Sequence, residues 1–264
     1  MKNLSLTIDH LAGMKRDGEK IAMLTCYDVS FARAMDRAGV DIILVGDSLG
    51  MVVQGRNTTV GVTTDDIAYH TECVAQGLER TFLLADMPFG SYHDESTAME
   101  NAVCLLSAGG AMVKLEGAGP MIEIVDYLTS RGVSVCGHVG LTPQSVHQLG
   151  GFKVQGRDEA AARQLLDDAL SLQQAGAQLL VVECVPAALG RELSASLDIP
   201  VIGIGAGADC DGQVLVMHDM LGLIDRPPKF VANFMQQSDS IQGAFESYVL
   251  SVRDGRFPAK EHEY

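Results

Sequence analysis

The residues of this chain that could do chemistry recur at one kind of place, the ends of short apolar runs. VGDSLG (45–50) follows Val40-Asp41-Ile42-Ile43-Leu44 and sets Asp47 beside Ser48. Later runs end in or are broken by Asp86, Lys114 with Glu116, His138, Glu183 and His218-Asp219, and an early one closes on Asp28. A single Asp at a strand end commonly caps a turn. A repeated pattern has a different meaning, because parallel strands bring their C-terminal ends to one rim and build one site from several segments.

Asp47, Asp86 and Glu116 end successive runs. Carboxylates brought together repel unless a cation sits between them or a proton is taken up. An all-oxygen set suits Mg²⁺, with Mn²⁺ as a substitute, whereas zinc would want a His/Cys cluster. The sequence has neither an H-x-x-x-H nor a C-x-x-C pair. Separate turn caps are the alternative reading of the three acids.

Glu183 interrupts Leu179-Leu180-Val181-Val182-Glu183-Cys184-Val185. An ionised carboxylate on a buried strand is costly unless paired, so its pKa is expected to rise, which is what a general base needs near neutral pH. The alternative is a structural ion pair with Lys114 or another cation. Lys114 itself could bind a substrate carboxylate or neutralise nearby acids. His138 could bind substrate, relay a proton or serve as a structural hydrogen bonder, and His218 reads as structural.

Gly46-Asp47-Ser48-Leu49 is also the signature tetrapeptide of the GDSL esterases, which would make Ser48 a nucleophile. Such a serine needs a histidine base oriented by an Asp. None of the seven histidines has an Asp three residues before it, and no Asn precedes an Asp, so that family's companion blocks are missing. Gly203-Ile204-Gly205-Ala206-Gly207 is spaced G-x-G-x-G and lies late in the chain. A dinucleotide fingerprint is G-x-G-x-x-G in the first βαβ unit, so a tight small-residue turn is expected here.

The elements that must position these groups alternate. Nearly continuous apolar runs, the mark of strands buried on both faces, fall at 21–28, 40–47, 81–88, 111–117, 133–140, 178–185 and 199–207, with a weaker eighth at 213–220. Helical patterns stand between them. One is capped by Thr63 to Asp66 over 65–79, one starts at Asp94 and ends at Gly109-Gly110, and one spans 158–175 with Gly176 as the stop. This predicts a (β/α)8 TIM barrel as a single domain over 1–264, with a short N-terminal helix before the first strand. Two long connections, Leu49–Val62 and Leu141–Gly156, should open on the active face as lids or binding loops.

With 264 residues the chain can bury a large aliphatic core, and aromatics make up only 5%. A net charge of −15 lacks the basic footprint of a nucleic-acid binder, and it would be repelled by anionic membrane surfaces. No run reaches the length of a membrane span. The six scattered cysteines form no disulfide pattern, and the opening MKNLSLTIDHLAGMKRDGEK has no secretion-type apolar stretch. A cytoplasmic protein is expected.

VGDSLGMVVQG, TTDDIAYH, LLADMPFGSY, AMVKLEG, VCGHVGLTPQS, GGFKVQGR, LLVVECVP, IPVIGIGAG and PPKFVANF, in order from about residue 20 to 235, resemble the ketopantoate hydroxymethyltransferase family. Cys26 is a departure from its pattern, away from the chemical positions. The resemblance implies a (β/α)8 barrel assembled as a homodecamer of two pentameric rings. It implies transfer of a hydroxymethyl group from 5,10-methylenetetrahydrofolate to α-ketoisovalerate, giving ketopantoate for pantothenate and coenzyme A, through a Mg²⁺-stabilised enolate. The family's single Mg²⁺ per subunit maps to Asp47, Asp86 and Glu116, the last through water. The keto-acid contacts map to Asp47, Ser48, Asp86 and Lys114, and the general base to Glu183. His138 matches a histidine near the substrate. On this reading Ser48 donates a hydrogen bond and is not a nucleophile.

Overall fold

The computed structural model describes residues 5–264. Eight strands, β1 (Ile21–Thr25), β2 (Ile42–Val45), β3 (Phe82–Asp86), β4 (Met112–Lys114), β5 (Val135–Gly140), β6 (Leu179–Glu183), β7 (Val201–Ile204) and β8 (Gly212–Leu215), follow one another around a closed barrel. All neighbouring pairs are parallel, including β8 with β1. Every residue of β1 to β4 is buried, since the barrel interior covers one face and the helices cover the other. A helix over Ile8–Asp17 precedes β1, as expected.

The seam between β8 and β1 closes tightly. A Cβ at Gly212 would stand 2.4 Å from the Ile21 carbonyl oxygen, so only glycine fits that approach. The last long helix, Ile241–Arg253, lies over this seam, and the buried Tyr248 hydroxyl meets the carbonyl oxygens of Met23 and Gln213, each at 2.9 Å. Residues from the far end of the chain thereby hold the first and last strands together.

Helix starts follow local capping chemistry. Thr63 and Asp66 form a reciprocal capping box for Thr64–Ala75. Asp94 accepts from the Thr97 amide at the head of Glu95–Ser107, and Asp158 from the Ala161 amide at the head of Glu159–Gln174. The strands are shorter than their apolar runs because the residues beyond each strand end turn toward the rim. The eighth run is divided: β8 stops at Leu215, and Met217–Met220 is helical. The helix expected over 65–79 ends at Ala75, with Gly77 closing a turn onto the Val74 carbonyl. Both long connections carry short helices, Leu49–Val52 in the first and Val146–Leu149 in the second. Among the described residues no helix is long and apolar enough to cross a membrane.

Candidate active site

The C-terminal ends of the strands open into one cavity of about 900 Å³, lined by Asp47, Ser48, Asp86, Lys114, Glu116, His138 and Glu183 together. Register explains the convergence. Asp86 pairs with Lys114, Lys114 with Cys136, and Gly140 with Glu183. Side chains two residues apart share a face, so Glu116 stands above Lys114, and His138 stands above Cys136 beside it. Asp47 lies in the turn that leaves β2, and its backbone amide donates to Asp86 Oδ2 at 3.1 Å.

Within the cavity the charges form a chain. The Lys114 ammonium lies 2.8 Å from Asp86 Oδ1 and 3.7 Å from Glu116 Oε1. His138 bridges two acids, with Nδ1 at 3.3 Å from Glu116 Oε1 and Nε2 at 3.3 Å from Glu183 Oε2. Burial opposes charging Lys114, but Asp86, Glu116 and Asp47 outweigh it and hold the ammonium above its ordinary range. Burial opposes charging His138 as well, yet Glu116 in particular pushes it up to about 9, so it is a cation at neutral pH. Burial would raise Glu116, but its contacts with His138 and Lys114 prevail and lower it. Asp47 goes the other way. Burial first, then repulsion from Asp86 and Glu116, push it well above the carboxylate range, and Asp86 is raised by burial despite Lys114.

Asp47 and Asp86 therefore carry more negative charge than their surroundings neutralise, and a hard divalent cation would relieve it. Their oxygens suit Mg²⁺. Asp86 Oδ1 is buried and makes no well-aligned hydrogen bond, although Lys114 is close. Glu116 is more committed, with Oε2 accepting from the Gln144 amide at 3.0 Å and Oε1 facing His138. It fits a role behind the ion better than direct ligation. Among the described residues no three His, Cys, Asp or Glu side chains stand in ready ligating geometry.

The geometry also decides between the alternative readings of several residues. Asp28 caps the helix Val29–Ala38, accepting from the Ser30 and Phe31 amides, and does not join the site. His218 sits on the short helix after β8 with its ring 5.6 Å from that of Tyr27, and it does not line the cavity. Glu183 contacts His138, so the ion pair with Lys114 does not form. Ser48 has no histidine base; its hydroxyl lies 2.9 Å from that of Tyr27. The Tyr27 hydroxyl donates to Thr25 Oγ1 at 2.9 Å, and burial raises its pKa.

Gln144 and Tyr92 are functional neighbours that the sequence did not single out. The Gln144 amide nitrogen Nε2 donates to Asp47 Oδ2 at 2.9 Å and to the Met87 carbonyl at 3.0 Å. The Tyr92 hydroxyl donates to Gln144 Oε1, and it accepts from the Glu116 amide at 3.3 Å. Their only signal in the sequence is position, Gln144 at the start of a long loop and Tyr92 just past β3.

The family model for ketopantoate hydroxymethyltransferase matches residues 5–260. A relative from Aromatoleum aromaticum named 3-methyl-2-oxobutanoate hydroxymethyltransferase is 59% identical over 98% of this chain and 97% of its own. One from Shewanella denitrificans with the same name is 55% identical, over 97% of this chain and 98% of its own. Among solved structures, phosphoenolpyruvate phosphomutase from Streptomyces platensis subsp. rosaceus aligns with a TM-score of 0.62 at 14% identity, covering 81% of this chain and 82% of that one. A 2,3-dimethylmalate lyase of the PEP mutase/isocitrate lyase superfamily aligns at 0.55 and 15% identity, covering 79% and 80%. At such identities these two likenesses show the barrel fold alone.

Proposed function

The chain belongs to the ketopantoate hydroxymethyltransferase family, and from that premise we propose that it transfers a hydroxymethyl group from 5,10-methylenetetrahydrofolate to α-ketoisovalerate, with Glu183 as the base. The observation that carries the reading is the chain of contacts from Asp47 and Asp86 through Lys114 and Glu116 to His138 and Glu183 inside one cavity. A keto acid needs cations for its two oxygen-bearing groups and a base near C3, and this chain of groups supplies both. Overall, α-ketoisovalerate, methylenetetrahydrofolate and one water give ketopantoate and tetrahydrofolate. The C3–H bond breaks, a C3–C bond to the methylene carbon forms, both C–N bonds to the folate break, and water supplies the hydroxyl oxygen.

A Mg²⁺ held by Asp47 and Asp86, with Glu116 behind it, would stabilise negative charge developing on the keto oxygen. Lys114 supplies the fixed positive charge that lets an anionic keto acid share a space with these acids. The Ser48 hydroxyl, 2.9 Å from that of Tyr27, serves as a hydrogen-bonding contact for the keto acid in this reading. His138 fixes Glu183 Oε2 by its contact at 3.3 Å, so Oε1 is the oxygen left to take the C3 proton. Proton transfer by a positioned side chain contributes roughly 10²–10⁴-fold.

Solvent exchange of the C3 proton of α-ketoisovalerate, followed by NMR with and without a chelator, tests this. Glu183→Gln should slow the exchange by about 10²–10⁴-fold, with keto-acid affinity retained. Exchange near the wild-type rate in that variant would remove Glu183 as the base, and exchange untouched by chelator would remove the metal.

A further inference from the structure

The mechanism above leaves one acid of the cavity without a task. Asp219 lies on the short helix Met217–Met220, beyond β8, and lines the same cavity as the catalytic cluster. The residue is only 7% exposed, and among the described residues burial alone acts on its carboxylate, with no ion-pair or hydrogen-bond partner to offset it. Every other acid lining the cavity has at least one such partner. A buried carboxylate without a partner is costly to retain, and the cost is recovered when a ligand brings N–H donors to it.

The surroundings define the ligand. About 900 Å³ is the size of a cavity for a drug-sized molecule, far larger than a small branched keto acid needs. Apolar side chains line the cavity as well, Val214 from β8 and Val216, Ile224 and Phe230 from the segment that follows it. A flat ring with apolar faces and adjacent N–H donors on one edge matches this combination. The 2-amino-4-oxopyrimidine edge of a pterin presents such a pair, and a carboxylate accepts both hydrogen bonds side by side, as it does from a guanidinium.

We propose that Asp219 is the contact for the pterin edge of the one-carbon donor, accepting from its 2-amino group and N3–H; the subsite rests on the tetrahydrofolate reading given above. The orientation directs the tail of the donor outward. Lys153, Arg157 and Arg226, exposed cations that also line the cavity, suit the carboxylates of a glutamyl tail, and they stand out in a chain of net charge −15. Burial alone pushes the Asp219 carboxyl up to about 6, so near neutral pH it is ionised and a full acceptor.

The test is calorimetric binding of 6-methyltetrahydropterin, which lacks the tail, and of its analogue without the 2-amino group. The full-length wild type is compared with Asp219→Asn and Asp219→Ala. We expect the tetrahydropterin to lose roughly 10- to 100-fold in affinity in both variants, as loss of a charge-assisted pair does. The analogue keeps only N3–H for the carboxylate, so it should bind the wild type more weakly than the tetrahydropterin does and lose less than the tetrahydropterin in both variants. Binding of α-ketoisovalerate to the same variants reports that the cavity is still formed. Tetrahydropterin binding that stays within about twofold of wild type in both variants would overturn the assignment of Asp219 alone. A wild type that binds α-ketoisovalerate but no tetrahydropterin would overturn the donor reading, and this subsite with it.

Discussion

Asp219→Asn should make the protein more stable at pH 8, and the size of the gain follows from the surroundings of the carboxylate. Burial raises its pKa from 3.8 to about 6, and among the described residues no cation or donor offsets the effect. A group whose pKa is raised by folding binds its proton more tightly in the fold. Protonation therefore favours the folded state at low pH, and that advantage is lost as pH climbs through about 6. Ionised Asp219 thus costs roughly 3 kcal/mol at pH 8, about half of that at pH 5, and under about 1 kcal/mol at pH 4.

The asparagine amide imitates the neutral acid in shape and stays neutral at all of these values. Urea denaturation of both proteins at pH 8, 5 and 4 reads the difference directly. The other raised acids of the cavity are common to both proteins and cancel. We expect the variant to be more stable by up to about 3 kcal/mol at pH 8, equivalent to several degrees in Tm at about 2–4 °C per kcal/mol. The gain should shrink steadily toward pH 4. A variant no more stable than the parent at pH 8, or a gain independent of pH, would show that the carboxylate has a partner within the protein and is not held at a cost. A gain in stability together with the loss of pterin binding is what a functional residue held at a structural cost produces.

Gln144→Leu removes a hydrogen bond to Asp47 Oδ2, and calorimetric Mg²⁺ affinity should fall by about 10- to 100-fold, as losing a partner behind the ligands does; unchanged affinity would exclude Gln144 as a positioning residue. Tyr248→Phe deletes the hydroxyl at the β8–β1 seam and should cost about 1–2 kcal/mol in urea denaturation, with keto-acid exchange unaffected. Gly140→Ala should cost more than about 2 kcal/mol and slow the C3 exchange together, because a Cβ there would stand 2.2 Å from the Glu183 carbonyl oxygen at a φ of +92°. Wild-type exchange in a folded Gly140→Ala protein would mean that β6 absorbs the clash without moving its glutamate.

What could be read from the chain depended on whether the signal was local. Apolar runs and helix caps are local, so the order of strands and helices was legible, and Asp94 and the Thr63–Asp66 pair cap where their spacing says. The acids at the run ends were legible as a rim because parallel strands leave one place for them to meet. Where a run ends was less legible. Val214 and Leu215 belong to β8, while Met217 and Met220, equally apolar, face inward from a helix. A buried helix turn and a buried strand look alike over so few residues.

Pairings across the barrel left no local trace at all. Nothing near Lys114 says whether it will meet Glu183 or Asp86. That choice comes from register, which aligns Lys114 with Asp86 and leaves Glu183 opposite Gly140, within reach of His138. Gln144 was invisible for the same reason, since it acts on Asp47 from 97 residues away. Asp28 misled because a cap and a ligand are the same residue type at the same position in a run, and only the amides of Ser30 and Phe31 reveal which it is. Asp219 is the converse case. It occupies a rim position, and among the described residues no amide, cation or hydroxyl accounts for its burial, so the partner is sought in a ligand.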